Sequence, residues 1–310
     1  LASLLVSSLI FSASVSAQVG DLIWEDNFNT LNQDVWTIDS GNGCDQGLCG
    51  WGNAELQSYQ TGNVTIQTVP GESGNSALAI EARQEMIGAE QFTSGKILTD
   101  KKLSVKYGMI EYRMQVPNLD QGYWPAVWML GTSTLPWPRK GEIDMMEMGH
   151  REAARREWFE FNENPNDDAG ATDTSIPAPA LNNFTGSNLI NYAEAACVPG
   201  NETCAASAAY QSDNAYVSNT SFANRFVTYR MYWTPEMIRF TVEDNGAEHD
   251  MFSEPQILDE TRDAFREPFF LLMNMAVGGN FTDAANPNQV TAPAPGTMLV
   301  DYIRVYQYDG

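Results

Sequence analysis

The sequence predicts an all-β fold, a β-jelly-roll sandwich of two antiparallel sheets, and three observations lead there. Short runs rich in Val, Ile, Tyr, Phe and Trp recur along the chain: NVTIQTV, SALAIEARQ, KYGMIEYRMQVP, RFVTYRMYW, MIRFTVED, FFLLMNMAVGG and MLVDYIRVYQ. Gly, Asn, Pro and Asp separate them, which is the punctuation of antiparallel β structure. Several runs alternate. From Gly108 to Val116, Met109, Glu111, Arg113 and Gln115 oppose Ile110, Tyr112, Met114 and Val116, so one face is buried and the other can meet a ligand.

The elements follow in order. Residues 1–17, LASLLVSSLIFSASVSA, form an apolar run ending in Val15-Ser16-Ala17, the small-residue spacing a signal peptidase accepts. An export signal is expected, with a single jelly-roll domain over 18–310 secreted to an extracellular or periplasmic space. No later apolar stretch reaches the ~20 residues of a membrane span, so no membrane insertion is expected. The strand pattern then runs to the middle of the chain. From about Arg151 to Ser187 it fails, first in a charged segment and then in one rich in Asn, Asp, Ala and Pro. A long surface excursion is expected there, with one helical turn near Glu152 to Phe159. The remaining runs again read as strands, and 43% hydrophobic side chains in 310 residues suffice for one large core.

Lys and Arg number 17 against 40 Asp and Glu, a formal net charge of −23. Such a surface repels nucleic acid and anionic membranes, and its ordinary consequence is a soluble protein, here expected to be a monomer. The four cysteines fall in two close pairs, Cys44 with Cys49 and Cys197 with Cys204, which in an exported chain permit two local disulfides. A zinc site is the alternative. Neither pair has the two-residue spacing of zinc knuckles, and only His150 and His249 supply imidazoles.

The segment WPRKGEIDMMEMGH sets Glu142, Asp144 and Glu147 among apolar residues. Buried like charges raise one another's pKa, so three acids in six positions point to proton transfer or ligation. On a regular strand Glu142 and Asp144 share a face, and Glu147 at its odd offset points away. A β-bulge at Met145-Met146 would bring it back. Two glutamates would then lie close to the ~5–5.5 Å separation of a retaining glycosidase. In that arrangement Glu142 is the nucleophile, Glu147 the general acid/base, and Asp144 the group that orients and tunes them. An acidic edge strand or a calcium loop is the alternative meaning of the spacing.

With these residues in view, the chain resembles glycoside hydrolase family 16, specifically its endo-β-1,3-glucanases, the laminarinases. GWGNAELQSY, FTSGKILT, YWPAVWMLG followed by GEIDMME, NMAVGGN and VDYIRVYQ carry the resemblance over nearly the whole chain after residue 17. The family implies a jelly roll with a concave cleft, retention of configuration, the bulged form of the carboxylate motif, and no cofactor for the chemistry. By resemblance Trp124, Trp128 and Trp137 are cleft tryptophans, since flat apolar rings stack on pyranose faces, and Asn53 is a hydrogen-bond donor to substrate. Asp301 matches the position of a structural calcium ligand in many members. The tryptophans Trp24, Trp36 and Trp233 are left to the core. The chain departs from the family after the carboxylate strand: a histidine-bearing strand is replaced by LINYAEAACV, and His150 is the one imidazole near the motif.

The expected substrate is a β-1,3-glucan such as laminarin, or a mixed-linkage β-glucan. The alternatives are a family relative acting on agarose or another marine galactan, and a non-catalytic glucan-binding protein on the same fold. The last of these would not need the paired glutamates.

Overall fold

The computed structural model describes residues 19–163, 177–192, 206–207, 215–252 and 255–309. The expected export signal lies outside the described residues. Cys197 and Cys204, and with them the disulfide expected between them, lie outside the described residues as well. Within the described residues the chain forms two large antiparallel sheets. One runs, edge to edge, Ala247–Asp250, Met237–Asp244, Phe226–Trp233, Gly108–Gln115, Gly296–Tyr308, Ser76–Ala82 and Val64–Thr68, with Val19–Asp26 also on Gly296–Tyr308. The other runs Ala206–Ser207, Phe184–Asn191, Glu142–Glu147, Tyr123–Gly131, Phe269–Val277, Lys96–Leu98 and Thr37–Ile38. The carboxylate strand is thus an interior strand of the second sheet.

The alternation read from sequence is what packs the sheets together. In Phe226–Trp233, Val227, Tyr229, Met231 and Trp233 turn inward, while Ile110, Tyr112 and Met114 do the same on the neighbouring strand. Tyr112 and Tyr229 stack at 5.5 Å between ring centres, as register and a shared face require. Trp36 and Trp233 are buried, and Trp24 packs against the core from its edge. Phe269–Val277 is buried throughout because it is covered on both faces, Phe269, Leu271, Met273, Met275 and Val277 toward the core and Asn274 on the other side.

Three expectations need correction. The outward face of Gly108–Gln115 is not free to take a ligand: Glu111 pairs with Arg230, and Arg113 with Glu72 and Asp301. The charges on that face answer cross-strand partners. The helical turn is a full helix, Glu152–Glu163, since EAARREW is a run of strong helix formers with no breaker. The excursion also ends before Ser187, because Phe184–Asn191 is a strand that pairs with the carboxylate strand.

Candidate active site

The bulge is present. Against Tyr123–Gly131, Asp144 faces Trp128 and Met146 faces Val127, which leaves Met145 as the extra residue. Against Phe184–Asn191 the same slip falls between Asp144/Asn188 and Glu147/Gly186. Ile143, Met145, Met146 and Met148 therefore fill the core, and Glu142, Asp144 and Glu147 come together on the opposite face. Two glycines bracket the strand with positive φ, Gly141 at 80° and Gly149 at 102°. A Cβ on Gly149 would stand 2.2 Å from the Tyr123 carbonyl oxygen. Gly149→Ala adds that clash to backbone strain, so it is expected to cost at least about 2 kcal/mol. A melting temperature lower by several degrees in a thermal melt would register it.

Burial sets the electrostatics. Desolvation raises the Glu142 carboxyl above its ordinary pKa, and hydrogen bonds from Trp137 and Asp144 together with the Lys96 charge pull it back. Asp144, only 4% exposed, is held well above the carboxylate range by burial and by the charges of Glu142 and Glu147. It is therefore the protonated partner that donates to Glu142. Burial, then the Glu142 charge, raises Glu147 to about 8, against a hydrogen bond from Trp124. Near neutral pH the arrangement favours one anion, at Glu142, beside a protonated Glu147.

The three tryptophans divide between two roles. Trp137 Nε1 donates to Glu142 Oε2 at 2.8 Å, and its ring is 42% exposed. Trp124 Nε1 donates to Glu147 Oε1 at 3.0 Å, and its ring stacks on Phe281 at 4.3 Å. Each ring thus fixes one carboxylate. Trp128 Nε1 instead donates to Asn274 Oδ1 at 2.7 Å. Asn274 Nδ2 donates to the Tyr59 hydroxyl at 3.1 Å, and that hydroxyl donates to Glu55 Oε2 at 3.1 Å. Asn53 joins this chain of bonds through its amide, which donates to Glu55 Oε1 at 3.3 Å.

Glu55, Tyr59, Asn274, Lys96 and Trp51 were not singled out from sequence. Glu55 and Tyr59 lie inside GWGNAELQSY and Lys96 inside FTSGKILT, so polar residues within otherwise strand-like blocks were the available signal. His150 is half-buried and packs between Phe281 and Phe184, its ring 4.3 and 4.9 Å from theirs. Burial, then the Arg155 charge, lowers it to about 3. It is a neutral packing group and its backbone oxygen accepts from Arg155.

Of the two expected disulfides, Cys44 and Cys49 form theirs, which rules out a zinc site at that pair. The second, between Cys197 and Cys204, lies outside the described residues. Asp301 is buried, but its carboxylate accepts from Asn75 and is paired with the Arg113 guanidinium. A cation already on that carboxylate does not fit a calcium ligand, and among the described residues no cluster of three or more His, Cys, Asp or Glu is placed to hold a metal.

Comparison with known proteins identifies the family. A family model described as "XgeA-like, catalytic GH16 domain" matches residues 52–242. Glucan endo-1,3-beta-glucosidase A1 of Niallia circulans is 30% identical over 93% of this chain, which spans 38% of that protein's length. Beta-glucanase of Rhodothermus marinus is 30% identical over 93% of this chain and 85% of its own. The catalytic domain of an endo-1,3-beta-glucanase (laminarinase) from Thermotoga petrophila superposes with a TM-score of 0.67 at 26% identity, covering 94% of this chain and 99% of its own. Its fold, its bulged carboxylate strand and these matches together place this chain in glycoside hydrolase family 16, as a catalytic domain of that family.

Proposed function

We propose that this domain is an exported, retaining endo-β-glucanase that cuts internal β-1,3 bonds of a laminarin-like glucan, with mixed-linkage β-glucan as its second substrate. The observation that carries it is the bulge at Met145, which sets two glutamates in unequal surroundings on one face. The names of the relatives, two glucan endo-1,3-β-glucosidases and a β-glucanase, support the sugar.

The steps follow from the two carboxyl groups. Glu142 attacks the anomeric carbon while Glu147 gives its proton to the glycosidic oxygen, so the C–O bond to the leaving sugar breaks and a glycosyl ester to Glu142 forms. Glu147, now ionised, takes a proton from a water that attacks the same carbon. The ester bond breaks, Glu142 leaves as a carboxylate, and the product keeps the β configuration. Asp144 holds its proton toward Glu142 throughout, and Trp137 and Trp124 keep the two carboxyls aimed. No cofactor enters these steps.

Product analysis on laminarin, barley mixed-linkage glucan, agarose and carrageenan tests the assignment. Short laminari-oligosaccharides are expected. Activity confined to a galactan would leave the mechanism and overturn the substrate. Glucan binding without product, from wild type, would overturn the enzymatic assignment in favour of a binding protein.

A further inference from the structure

Phe269–Val277 carries a single polar side chain, Asn274, and it is only 6% exposed. A buried amide is costly unless both its ends are answered. Across the sheet Asn274 faces Ala126, and Ala126 faces Glu147, so Asn274 stands on the face of the carboxylates. Trp128 is its diagonal neighbour on that face, paired with Leu272 on one side and with Asp144 on the other. Diagonal neighbours lie within reach of a large ring.

The amide can face only one way. The indole Nε1 of Trp128 has a proton to give and nothing to accept with, so Asn274 Oδ1 takes that proton's hydrogen bond, at 2.7 Å. Asn274 Nδ2 then donates to the Tyr59 hydroxyl at 3.1 Å, and the single proton of that hydroxyl goes to Glu55 Oε2 at 3.1 Å. Turned over, the amide would set donor against donor at Trp128. Glu55 is anchored independently of this relay. Gln57 Oε1 accepts from the Val277 backbone N–H at 2.7 Å, which leaves Gln57 Nε2 to donate to Glu55 Oε2 at 2.6 Å, and Asn53 donates to Oε1. The relay thus runs in one direction, from a ring that only donates to a carboxylate that receives three donors. Its near end is a half-buried ring across from Asp144.

We propose that Asn274 is a positioning residue for substrate: it fixes the Trp128 ring as a sugar-binding wall beside the carboxylate strand, and Tyr59 and Glu55 in turn fix Asn274. This rests on Trp128 lining the cleft of the enzyme proposed above. Asn274 touches neither the sugar nor the reacting atoms and acts through Trp128.

The test is a double-mutant cycle between Asn274→Leu, which removes both polar ends of the amide, and Trp128→Phe, which keeps a flat ring but has no N–H. Asn274→Leu alone is expected to lower kcat/KM on laminarin about tenfold, through KM because no reacting atom is touched. With Trp128→Phe already in place, the same change should cost less than about twofold. The same cycle on the Kd for laminarihexaose, in the Glu142→Gln background that binds without cutting, should show the same coupling. If Asn274→Leu does not fold, Tyr59→Phe, which cuts the relay one bond further on, takes its place in the cycle. Equal losses in the two backgrounds, or a lowered melting temperature with KM and Kd unmoved, would overturn the inference, as would a Trp128→Phe enzyme with wild-type KM. The binding arm separates this claim from the one it rests on. Coupled Kd values with no product from wild type defeat the enzymatic reading alone, whereas product with uncoupled values defeats this inference alone.

Discussion

Glu142→Gln is expected to lower kcat/KM on laminarin by at least about 10⁴-fold, because an amide cannot form the glycosyl ester and no neighbouring group has the geometry to replace it. Asp144 is closest, but it is protonated and turned toward Glu142. The fold should survive. Burial raises the Glu142 carboxyl, and a carboxyl whose folded pKa lies above its unfolded value costs stability as pH rises from the unfolded pKa through the folded one. A neutral glutamine avoids that cost, so the variant should melt at or above the wild-type temperature at neutral pH. Loss of activity together with a lowered melting temperature would mean that the carboxylate is structural.

Glu147→Gln is expected to cost about 10²–10⁴-fold on polysaccharide, the range for removal of a general acid. An aryl glucoside with a good leaving group needs little protonation, so formation of the glycosyl ester from it should be nearly spared. Wild-type kcat/KM should fall on the alkaline side with a midpoint near the value of about 8 for Glu147, since above it the acid has lost the proton it must give. The sign for stability is the same as for Glu142. Protonated Glu147 costs nothing below its unfolded pKa, and the penalty grows as pH rises toward about 8. Thermal melts should therefore show Glu147→Gln gaining on wild type as pH rises through that window and levelling above it.

Much of this site was legible in the sequence because it depends on local facts. The odd offset of Glu147 from Glu142 on an apolar strand required a bulge, and the slip at Met145 in both neighbouring pairings supplies it. The sandwich followed from strands such as Phe226–Trp233 that alternate cleanly. Phe184–Asn191 was not legible because its buried positions include Thr185, Gly186 and Ser187, small residues that resemble a loop but give Glu147 room across from Gly186. The support of Trp128 was hidden for another reason. Asn274 and Tyr59 are 215 positions apart, and a polar residue on a strand does not reveal its partner until the sheet order is known. The same holds for Asp301, whose resemblance to a calcium ligand gives way to a guanidinium contributed by Arg113, 188 positions away.

The most direct test of the two assigned roles is azide rescue with an activated aryl β-glucoside or laminaribioside. Without its nucleophile, Glu142→Ala leaves azide to attack the anomeric carbon from the free face, so the α-glycosyl azide is expected. Without its acid/base, Glu147→Ala still forms the ester to Glu142, and azide then displaces it to give the β-glycosyl azide. Proton NMR of the anomeric centre distinguishes the two products. Opposite anomers from the two variants are the predicted result, and the same anomer from both, or the reversed pair, would contradict the assignment of Glu142 as nucleophile and Glu147 as acid/base.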